Sequence, residues 1–209
     1  QMKDKILIII QGPLGYEQII NPYFKDFNIL YSTWKGQEYK GKNLKNINVI
    51  YNDLPKEGGN RNLIFQQNST LLGIKKGIEM GFEYCIKWRS DMIPTNIDLL
   101  IKDIDFNKLN ILFRVNYVNY YFQFIRKKTN YYCDYIQMGN IKDLYTIWDF
   151  DNYNCAFPEE IISKNINKIF NKSSIEFIGR KLDYKNDIYW LKRNLYLSSY
   201  KNYEQYSVK

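Results

Sequence analysis

Residues 5–10, Lys5-Ile6-Leu7-Ile8-Ile9-Ile10, form an almost unbroken apolar run that Gln11, Gly12 and Pro13 bring to an end. A strand with one exposed face alternates apolar and polar residues, and this run does not. It therefore predicts a strand covered on both faces, which is typical of the parallel sheets of α/β proteins. Three further strands are predicted on similar grounds, at residues 28–33, 48–52 and 83–88.

Helices are predicted between these strands. Residues 16–27 are long enough for a crossover helix. Apolar residues then recur at helical spacing up to residue 79, after Asn60 or Asn62 as the N-cap and before Gly81 as the stop signal. Strands that alternate with helices predict an α/β fold with a mostly parallel central sheet.

The second half of the chain is less regular. Its aromatic run at residues 116–124 suits either a groove that binds sugar rings or an edge strand with packed aromatic side chains. The predicted elements are a helix after Pro94, strands at 111–115 and 131–138, helices at 141–148 and 159–170, and a last element at 187–197.

The composition limits the class of protein. At 209 residues the chain can bury a substantial core, and we expect one domain over residues 1–209. The chain has no histidine, which excludes catalytic triads, zinc sites and general bases that need one. Its three cysteines are widely spaced, so neither a disulfide framework nor a zinc site is expected, and Cys85 is predicted to be a buried thiol.

Charge and hydropathy bear on the partners. Thirty Lys and Arg residues against 22 Asp and Glu residues give a formal charge of +8, which suits an anionic ligand. The basic residues are scattered rather than clustered, so no nucleic-acid partner is predicted. No apolar run approaches the ~20 residues that span a bilayer. These features favour a cytoplasmic location, with a peripheral association with the inner face of the membrane left open.

Polar residues follow the first four predicted strands at the point where each strand ends. Because the carboxyl ends of parallel strands meet at one edge of a sheet, and ligands bind there in α/β folds, these residues predict a binding site. They are Gln11-Gly12, Thr33-Trp34, Asp53 and Arg89-Ser90-Asp91.

Asp91 is the central candidate in this group. A carboxylate after a buried strand is able to hold Mg²⁺ or Mn²⁺ against a diphosphate, and the metal neutralises charge on the leaving phosphate. Arg89, two residues earlier, is able to pair with phosphate directly. The simpler interpretation of Arg-Ser-Asp alone is a carboxylate that caps a helix beside a surface arginine.

A wider set of segments forms one pattern along the chain. These segments are Ile-Gln-Gly-Pro at 10–13, Ser-Thr-Trp at 32–34, Asn-Arg-Asn at 60–62, residues 66–69, 73–78 and 81–84, and Lys-Trp-Arg-Ser-Asp at 87–91. The pattern resembles the GT-A glycosyltransferases, in which an Asn/Arg-led helix precedes the strand that delivers an acidic motif, and it implies a single GT-A-like (Rossmann-like) domain. More narrowly, it resembles the WavE lipopolysaccharide-synthesis family. The likeness covers roughly residues 5–100 and is looser over 130–165.

The resemblance implies roles for individual residues. It implies a nucleotide-sugar-binding half at about 1–100 and an acceptor-binding half at about 101–209. The family's Asp-x-Asp motif has Arg89 in its first position here, so the divalent metal, Mn or Mg, is expected to be dispensable if Arg89 supplies the charge. The implied donor-site residues are Gln11, Gly12 and Pro13 near the base and ribose, Thr33, Trp34 and Asp53 beside them, Arg61 and Gln66 at the diphosphate or donor sugar, Arg89, and Asp91 at the metal.

Without histidine, acid–base chemistry is left to carboxylates, Lys, Tyr or Cys, and Asp or Glu is the natural choice of base for an acceptor hydroxyl. Glu159 and Glu160 open a predicted helix at a position that resembles the basic carboxylate of many inverting GT-A enzymes. Equally, acidic residues simply stabilise the start of a helix. Asp134 is the rival candidate for the base or an acceptor contact.

The predicted function is therefore the transfer of a sugar from a nucleoside-diphosphate sugar, with UDP favoured, to a growing capsule or lipopolysaccharide chain, with inversion. The acceptor would be a glycan or lipid-linked glycan, and polysaccharide-assembly enzymes would be neighbours at the membrane. One alternative is a sugar nucleotidyltransferase, although the loop after the first strand has few glycines for a phosphate loop. The other is a non-catalytic glycan-binding or assembly module on a degenerate transferase fold.

Overall fold

A computed structural model describes residues 2–42, 45–94, 97–102, 104–111, 114–121, 125–151, 158–177 and 188–190. For residues 99, 114–121, 125–130 and 188–190 it describes the backbone alone. Short 3₁₀ helices lie at Met2–Lys5, Asn21–Phe24, Asn60–Asn62 and Lys172–Ser174. The strands and α-helices are β1 (Ile6–Gln11), α1 (Glu17–Ile20), β2 (Asn28–Trp34), β3 (Ile47–Asn52), α2 (Leu63–Glu79), β4 (Tyr84–Arg89), β5 (Met92–Pro94), α3 (Ile97–Ile101), β6 (Leu109–Ile111), β7 (Arg114–Tyr121), β8 (Ile125–Tyr132), β9 (Gln137–Asn140), α4 (Ile141–Trp148), α5 (Pro158–Ile169), β10 (Ile175–Phe177) and β11 (Ile188–Trp190).

Seven of these strands form a central sheet in the order β10-β6-β9-β4-β1-β2-β3. β3, β2, β1 and β4 are parallel neighbours, and so are β6 and β10. β9 runs antiparallel to both β4 and β6. The predicted α/β fold with a mostly parallel central sheet is thus confirmed, and the sheet draws strands from both halves of the chain.

β1 lies at the centre of the sheet, and its predicted burial on both faces is confirmed. Residues 6–10 are completely buried. On one face α2 packs so closely that a Cβ on Gly73 would lie 2.6 Å from Ile9 Cγ2. On the other face Trp88 of β4 meets Phe24 edge to face, with ring centroids 5.3 Å apart. Because apolar side chains cover both faces of β1, aliphatic residues at positions 6–10 pack well on either side.

The remaining strands and the helices that flank them largely follow the predictions. β2, β3 and β4 begin and end within one residue of the expected bounds, as do α4 and α5. Gly81 ends α2 with a φ of 86°, a conformation that favours glycine. Asn62 occupies the N-cap position of α2 but makes no side-chain capping bond, because its own backbone is left-handed (φ 61°).

Three predicted elements differ from the structure. The helix expected at 16–27 is only α1, followed by a 3₁₀ turn, because Pro22 has no N–H to continue an α-helix. The strand expected at 111–115 is instead the end of β6 and the start of β7. The strand expected at 131–138 is split, since a turn at 133–136 separates β8 from β9.

Some predictions fall partly or wholly outside the described residues. Residues 116–121 of the aromatic run lie in β7, which pairs with β8, while their side chains and residues 122–124 are outside the described part. Of the element expected at 187–197, only β11 is described, antiparallel to β5. Cys155 is also outside, whereas Cys85 and Cys133 are buried free thiols. Within the described ranges, no helix is long and apolar enough to cross a membrane.

Candidate functional site

The carboxyl ends of β1, β2 and β4 meet at one edge of the sheet because these strands are parallel. α2 begins at the same edge, since it follows β3 and leads back to the start of β4. These elements enclose a cleft of about 140 Å³. It is lined by Gln11, Gly12, Pro13, Trp34, Arg61, Asn62, Phe65, Gln66, Ser69, Arg89, Ser90 and Asp91.

The loop after β1 forms the floor of the cleft. Gln11 Oε1 accepts a hydrogen bond of 2.9 Å from Ser69 Oγ of α2, and the Gln11 carbonyl accepts one of 3.0 Å from Ser90 N. Gly12 has a φ of +120°, and a Cβ there would lie 2.7 Å from Ser90 Oγ. Because Gly12 has no side chain, the loop after β1 is able to contact the loop after β4. The polar residues at the ends of these strands had predicted that the two loops lie together.

Arg89 and Asp91 form a bidentate ion pair at the edge of the cleft. Arg89 Nε donates to Asp91 Oδ1 at 2.9 Å, and Nη2 donates to Oδ2 at 2.8 Å. The Asp91 side chain is 8% exposed and that of Arg89 is 23% exposed. The guanidinium also lies over the ring of Tyr135, 4.9 Å from its centroid. A paired, stacked arginine is held rigidly beside the cleft.

This pair bears on the metal that the resemblance implies. Mg²⁺ is able to bind through one carboxylate and substrate phosphates. Here, however, both Asp91 oxygens accept hydrogen bonds from Arg89. Across the described ranges no group of three acidic or cysteine side chains is able to hold an ion. The donor set in this conformation therefore does not fit a protein-held divalent metal.

Arg61 and Asn62 enter the cleft from the segment before α2. Both have left-handed backbones, with φ of 50° and 61°. Such conformations destabilise non-glycine residues and concentrate at functional sites. Beside them, Trp34 and Phe65 meet edge to face, with centroids 5.9 Å apart, and give the cleft an aromatic wall. The start of α2 adds the positive end of a helix dipole.

A buried polar layer lies behind the cleft. Gln66, which lines the cleft, donates from Nε2 to Asp134 Oδ2, and Asp134 is only 2% exposed. Lys87 Nζ donates to the carbonyl oxygen of Asp134 and lies 4.7 Å from the ring centroid of Trp148. Burial lowers the pKa of Lys87 to about 8, partly offset by the attraction of Asp134. The turn that splits the expected strand at 131–138 thus carries a carboxylate to this layer.

The two predicted glutamates are in different surroundings. Glu159, at the start of α5, is 5% exposed and close enough to raise the pKa values of both Cys133 and Tyr135 electrostatically, although burial is the main cause of each rise. Glu160 pairs with Lys164 at 2.8 Å, one helical turn along α5. The structure therefore groups Glu159 with the layer behind the cleft and places Glu160 in a helix-surface ion pair.

Two predicted donor-site residues do not line the cleft. Thr33 is fully buried and donates to Gln37 Oε1, which also accepts from Leu14 N at 2.9 Å. Thr33 thus holds Gln37, which links the loops after β1 and β2. Asp53 is 86% exposed and pairs with Lys35 at 2.7 Å. It lies on the predicted edge of the sheet but outside the cleft lining.

Several lining residues were not singled out from the sequence. Asn62, Phe65 and Ser69 lie on the same face of the α2 start as Gln66, and their spacing of three to four residues is the signal that would have found them. Ser90 was named only as part of the strand end Arg89-Ser90-Asp91 and was given no role of its own. Lys87 lies on the Arg89 face of β4, since alternate residues of a strand share a face.

Neither a family model nor a curated protein matches the chain. Among solved structures, the chain is similar to a Bacillus anthracis protein assigned as a glucose-1-phosphate thymidylyltransferase, in complex with a sucrose. The identity is 12%, the match covers 82% of this chain and 85% of that one, and the TM-score is 0.42. The resemblance to the WavE family therefore stays a prediction.

Proposed function

We propose that this protein is a glycosyltransferase that uses a nucleoside-diphosphate sugar. The observation that carries the proposal is the convergence of two arginines and the start of α2 on one cleft at the carboxyl edge of a parallel sheet. Arg61 and Arg89 both line this cleft, and so does an aromatic wall. A ligand with an anionic bridge and a flat or sugar-like end matches both features.

The arginines would supply the electrostatic part of the reaction. When the bond between the anomeric carbon and the diphosphate breaks, negative charge grows on the leaving phosphate. Arg89 is already fixed beside the cleft by Asp91 and Tyr135, so it would stabilise that charge with little reorganisation. In this proposal Arg89 replaces a metal that Asp91 would otherwise hold. A Mn²⁺ or Mg²⁺ ion would supply the same charge only after Asp91 leaves Arg89.

The acceptor would be a glycan or lipid-linked glycan of a capsule or lipopolysaccharide, reached at the inner face of the membrane. Because the chain has no histidine, a carboxylate is the natural choice of base for its hydroxyl. Of the two glutamates, Glu160 pairs with Lys164, whereas Glu159 lies in the layer behind the cleft. Neither lines the cleft, so Glu159 would act as the base only if the acceptor hydroxyl reaches that layer. Inversion at the anomeric carbon follows if one carboxylate acts as the base in a single displacement.

Binding and turnover of a panel of UDP-, GDP- and CDP-sugars, with EDTA or with Mn²⁺, test this proposal. Each arginine would pair with the negative charge of the diphosphate. Arg61→Met and Arg89→Met are therefore each expected to weaken binding of the preferred nucleotide sugar by about tenfold or more. Lys35→Met is the matched control, because Lys35 pairs with Asp53 outside the cleft. Arg61→Met is the safer variant, since Arg61 is exposed and removing it leaves Asp91 paired.

The outcomes separate the proposal from its rivals. Release of a free sugar or transfer to an acceptor would support it, and the absence of binding by any nucleotide sugar would overturn it. Release of pyrophosphate from a nucleoside triphosphate and a sugar 1-phosphate would favour a nucleotidyltransferase instead. A second candidate is a non-catalytic binding module. It is favoured by the Arg89–Asp91 ion pair, which occupies both carboxylate oxygens that would otherwise hold a catalytic metal. Tight binding of glycans without any donor turnover would identify that function.

A further inference from the structure

We propose that Asp134 is a positioning residue that fixes the side-chain amide of Gln66, so that Gln66 offers a hydrogen-bond acceptor to a hydroxyl group of the bound sugar. The inference rests on the proposed function, because it assumes that the cleft holds a nucleotide sugar. It departs from the sequence prediction for Asp134, which made this carboxylate a candidate base or acceptor contact.

The orientation of the Gln66 amide follows from its partner. An ionised carboxylate has only acceptor atoms, so it must face the NH₂ group of an amide. Gln66 Nε2 donates to Asp134 Oδ2, and the carbonyl oxygen Oε1 therefore lies on the other side of the amide carbon. With Asn in place of Asp134, either orientation of the Gln66 amide would find a partner, and the preference would be lost.

The surroundings of Asp134 hold the carboxylate in place. Lys87 Nζ donates to the main-chain carbonyl of Asp134, so a cation lies within hydrogen-bond distance of the same residue. Asp134 is 2% exposed, and its second carboxylate oxygen, Oδ1, is buried without a hydrogen-bond partner in the described part of the chain. A partnerless buried oxygen destabilises a fold. An aspartate at position 134 is therefore better explained by its effect on the orientation of Gln66 than by a contribution to the stability of the fold.

The position of Asp134 argues against its action as a base. A general base must come within hydrogen-bond distance of the proton that it removes. Gln66 lines the cleft, whereas Asp134 does not. The carboxylate thus acts on the ligand through Gln66 and not directly.

The acceptor oxygen of Gln66, Oε1, indicates which part of the ligand this residue would meet. A carbonyl oxygen repels phosphate oxygens and accepts hydrogen bonds from hydroxyl groups. The arginines occupy the same cleft and match the diphosphate. Gln66 is consequently assigned to a hydroxyl of the ligand and not to its phosphates. The choice of the transferred sugar over the ribose is tested by binding of the parent diphosphate, which retains the ribose hydroxyls, and Gln66 would then distinguish donors by whether they carry that sugar hydroxyl.

The test is a double-mutant cycle with Asp134→Asn, Gln66→Leu and the combined variant. Calorimetry measures binding of the parent nucleoside diphosphate, of the preferred sugar nucleotide from the panel, and of its singly deoxygenated analogues. In the wild type, one analogue is expected to bind at least about tenfold more weakly than the intact donor. In both single variants that discrimination should fall to near unity, while the parent diphosphate binds as it does to the wild type.

Non-additivity is the decisive readout, because Asp134 acts only through Gln66. Once Gln66→Leu is present, adding Asp134→Asn should change donor binding less than about twofold. Steady-state kinetics add a second readout. Positioning predicts a raised KM with kcat within about tenfold of the wild type, whereas loss of a general base lowers kcat by about 100-fold or more with KM unchanged. The second pattern, or additive effects of the two substitutions, would overturn the inference.

The failure of this inference is distinguishable from failure of the proposed function. Binding of nucleotide sugars by the wild type with unchanged hydroxyl discrimination in Asp134→Asn would overturn the inference alone. No binding of any nucleotide sugar by the wild type would overturn both. Thermal unfolding of every variant, compared with the wild type, guards against misfolding, and Gln66→Leu serves as the second variant if Asp134→Asn does not fold.

Discussion

Single charged residues account for much of what is unusual in this site. Two cations, Lys87 and Arg89, extend from the same face of β4, and each has an aspartate as its neighbour. Arg89 is partly exposed and stays charged, while Lys87 is completely buried. Burial favours the neutral amine, which is why the pKa of Lys87 falls to about 8. Lys87 therefore remains charged at neutral pH, although burial makes its charged form less stable than it is in water.

The pH dependence of stability should reveal that penalty. The unfolded chain binds the Lys87 proton up to the ordinary lysine pKa of 10.5, whereas the folded chain releases it above about 8. Between these values the unfolded state binds more protons, so the free energy of unfolding rises with pH. Urea unfolding is expected to show that, from about pH 7 to about pH 9.5, the wild type gains about 2 kcal/mol relative to Lys87→Met.

The comparison with Lys87→Met isolates this residue from the tyrosines. Burial raises the pKa of Tyr135 to about 12, and such groups lower stability at high pH in both proteins alike. Equal pH profiles for the wild type and the variant would show that Lys87 titrates as it does in water.

At the scale of elements, α2 is the part of the fold that places the cleft. Its first turns supply Phe65, Gln66 and Ser69 to the cleft, and its middle packs on β1 through Gly73 and Gly77. The two glycines lie four residues apart and therefore share a face. Larger residues there would push the helix away from the sheet, and with it the side chains that line the cleft.

Gly73→Ala is expected to destabilise the protein by about 1–3 kcal/mol, despite the better helix propensity of alanine. A Cβ at Gly73 would lie 2.6 Å from Ile9 Cγ2 and 3.1 Å from Ser32 Cβ. Ser32 Cβ moves only with its strand, and Ile9 Cγ2 moves only if a fully buried, β-branched side chain changes its χ1 angle. Gly77→Ala is the matched control, because its Cβ would meet only side-chain tips, Leu7 Cδ2 and Ile141 Cδ1, each at 2.7 Å. Chemical denaturation measures both. A smaller loss for Gly73→Ala than for Gly77→Ala would contradict this account.

At the scale of the whole molecule, the two halves of the chain meet at the cleft. β1, β2, β4, α2 and the loops next to them supply its lining, while the turn between β8 and β9 supplies Asp134 and Tyr135 behind it. The formal charge of +8 adds a general attraction for anions to the local effect of the arginines. Salt weakens such attraction more between exposed charges than between buried ones.

Salt should therefore separate the charged from the uncharged part of the ligand. Raising NaCl from about 50 mM to about 500 mM is expected to weaken binding of UDP by about fivefold or more, because the Debye length falls to about 4 Å. Uridine, which has no phosphate, should lose less than about twofold. Calorimetry at both salt concentrations measures this, and equal losses for the two ligands would show that the cleft does not recognise the diphosphate.

Local patterns in the sequence were enough for most elements that surround the cleft. The apolar run at 6–10 requires two covered faces wherever it lies, and helical spacing marks α2, α4 and α5. Because parallel strands end at one edge of a sheet, the sequence alone was enough to place the polar residues after β1, β2 and β4 together. These inferences depend on neighbours in sequence, whose geometry the backbone dictates.

The contacts that give the cleft its chemistry depended on the tertiary structure. No local pattern places antiparallel β9 between β4 and β6, or brings Asp134 to Gln66, which is 68 residues earlier in the chain. The bidentate pair of Arg89 with Asp91 was likewise hidden, since spacing in a turn does not state where two side chains point. Long-range packing selects these contacts because it decides which charges lose water and must find partners.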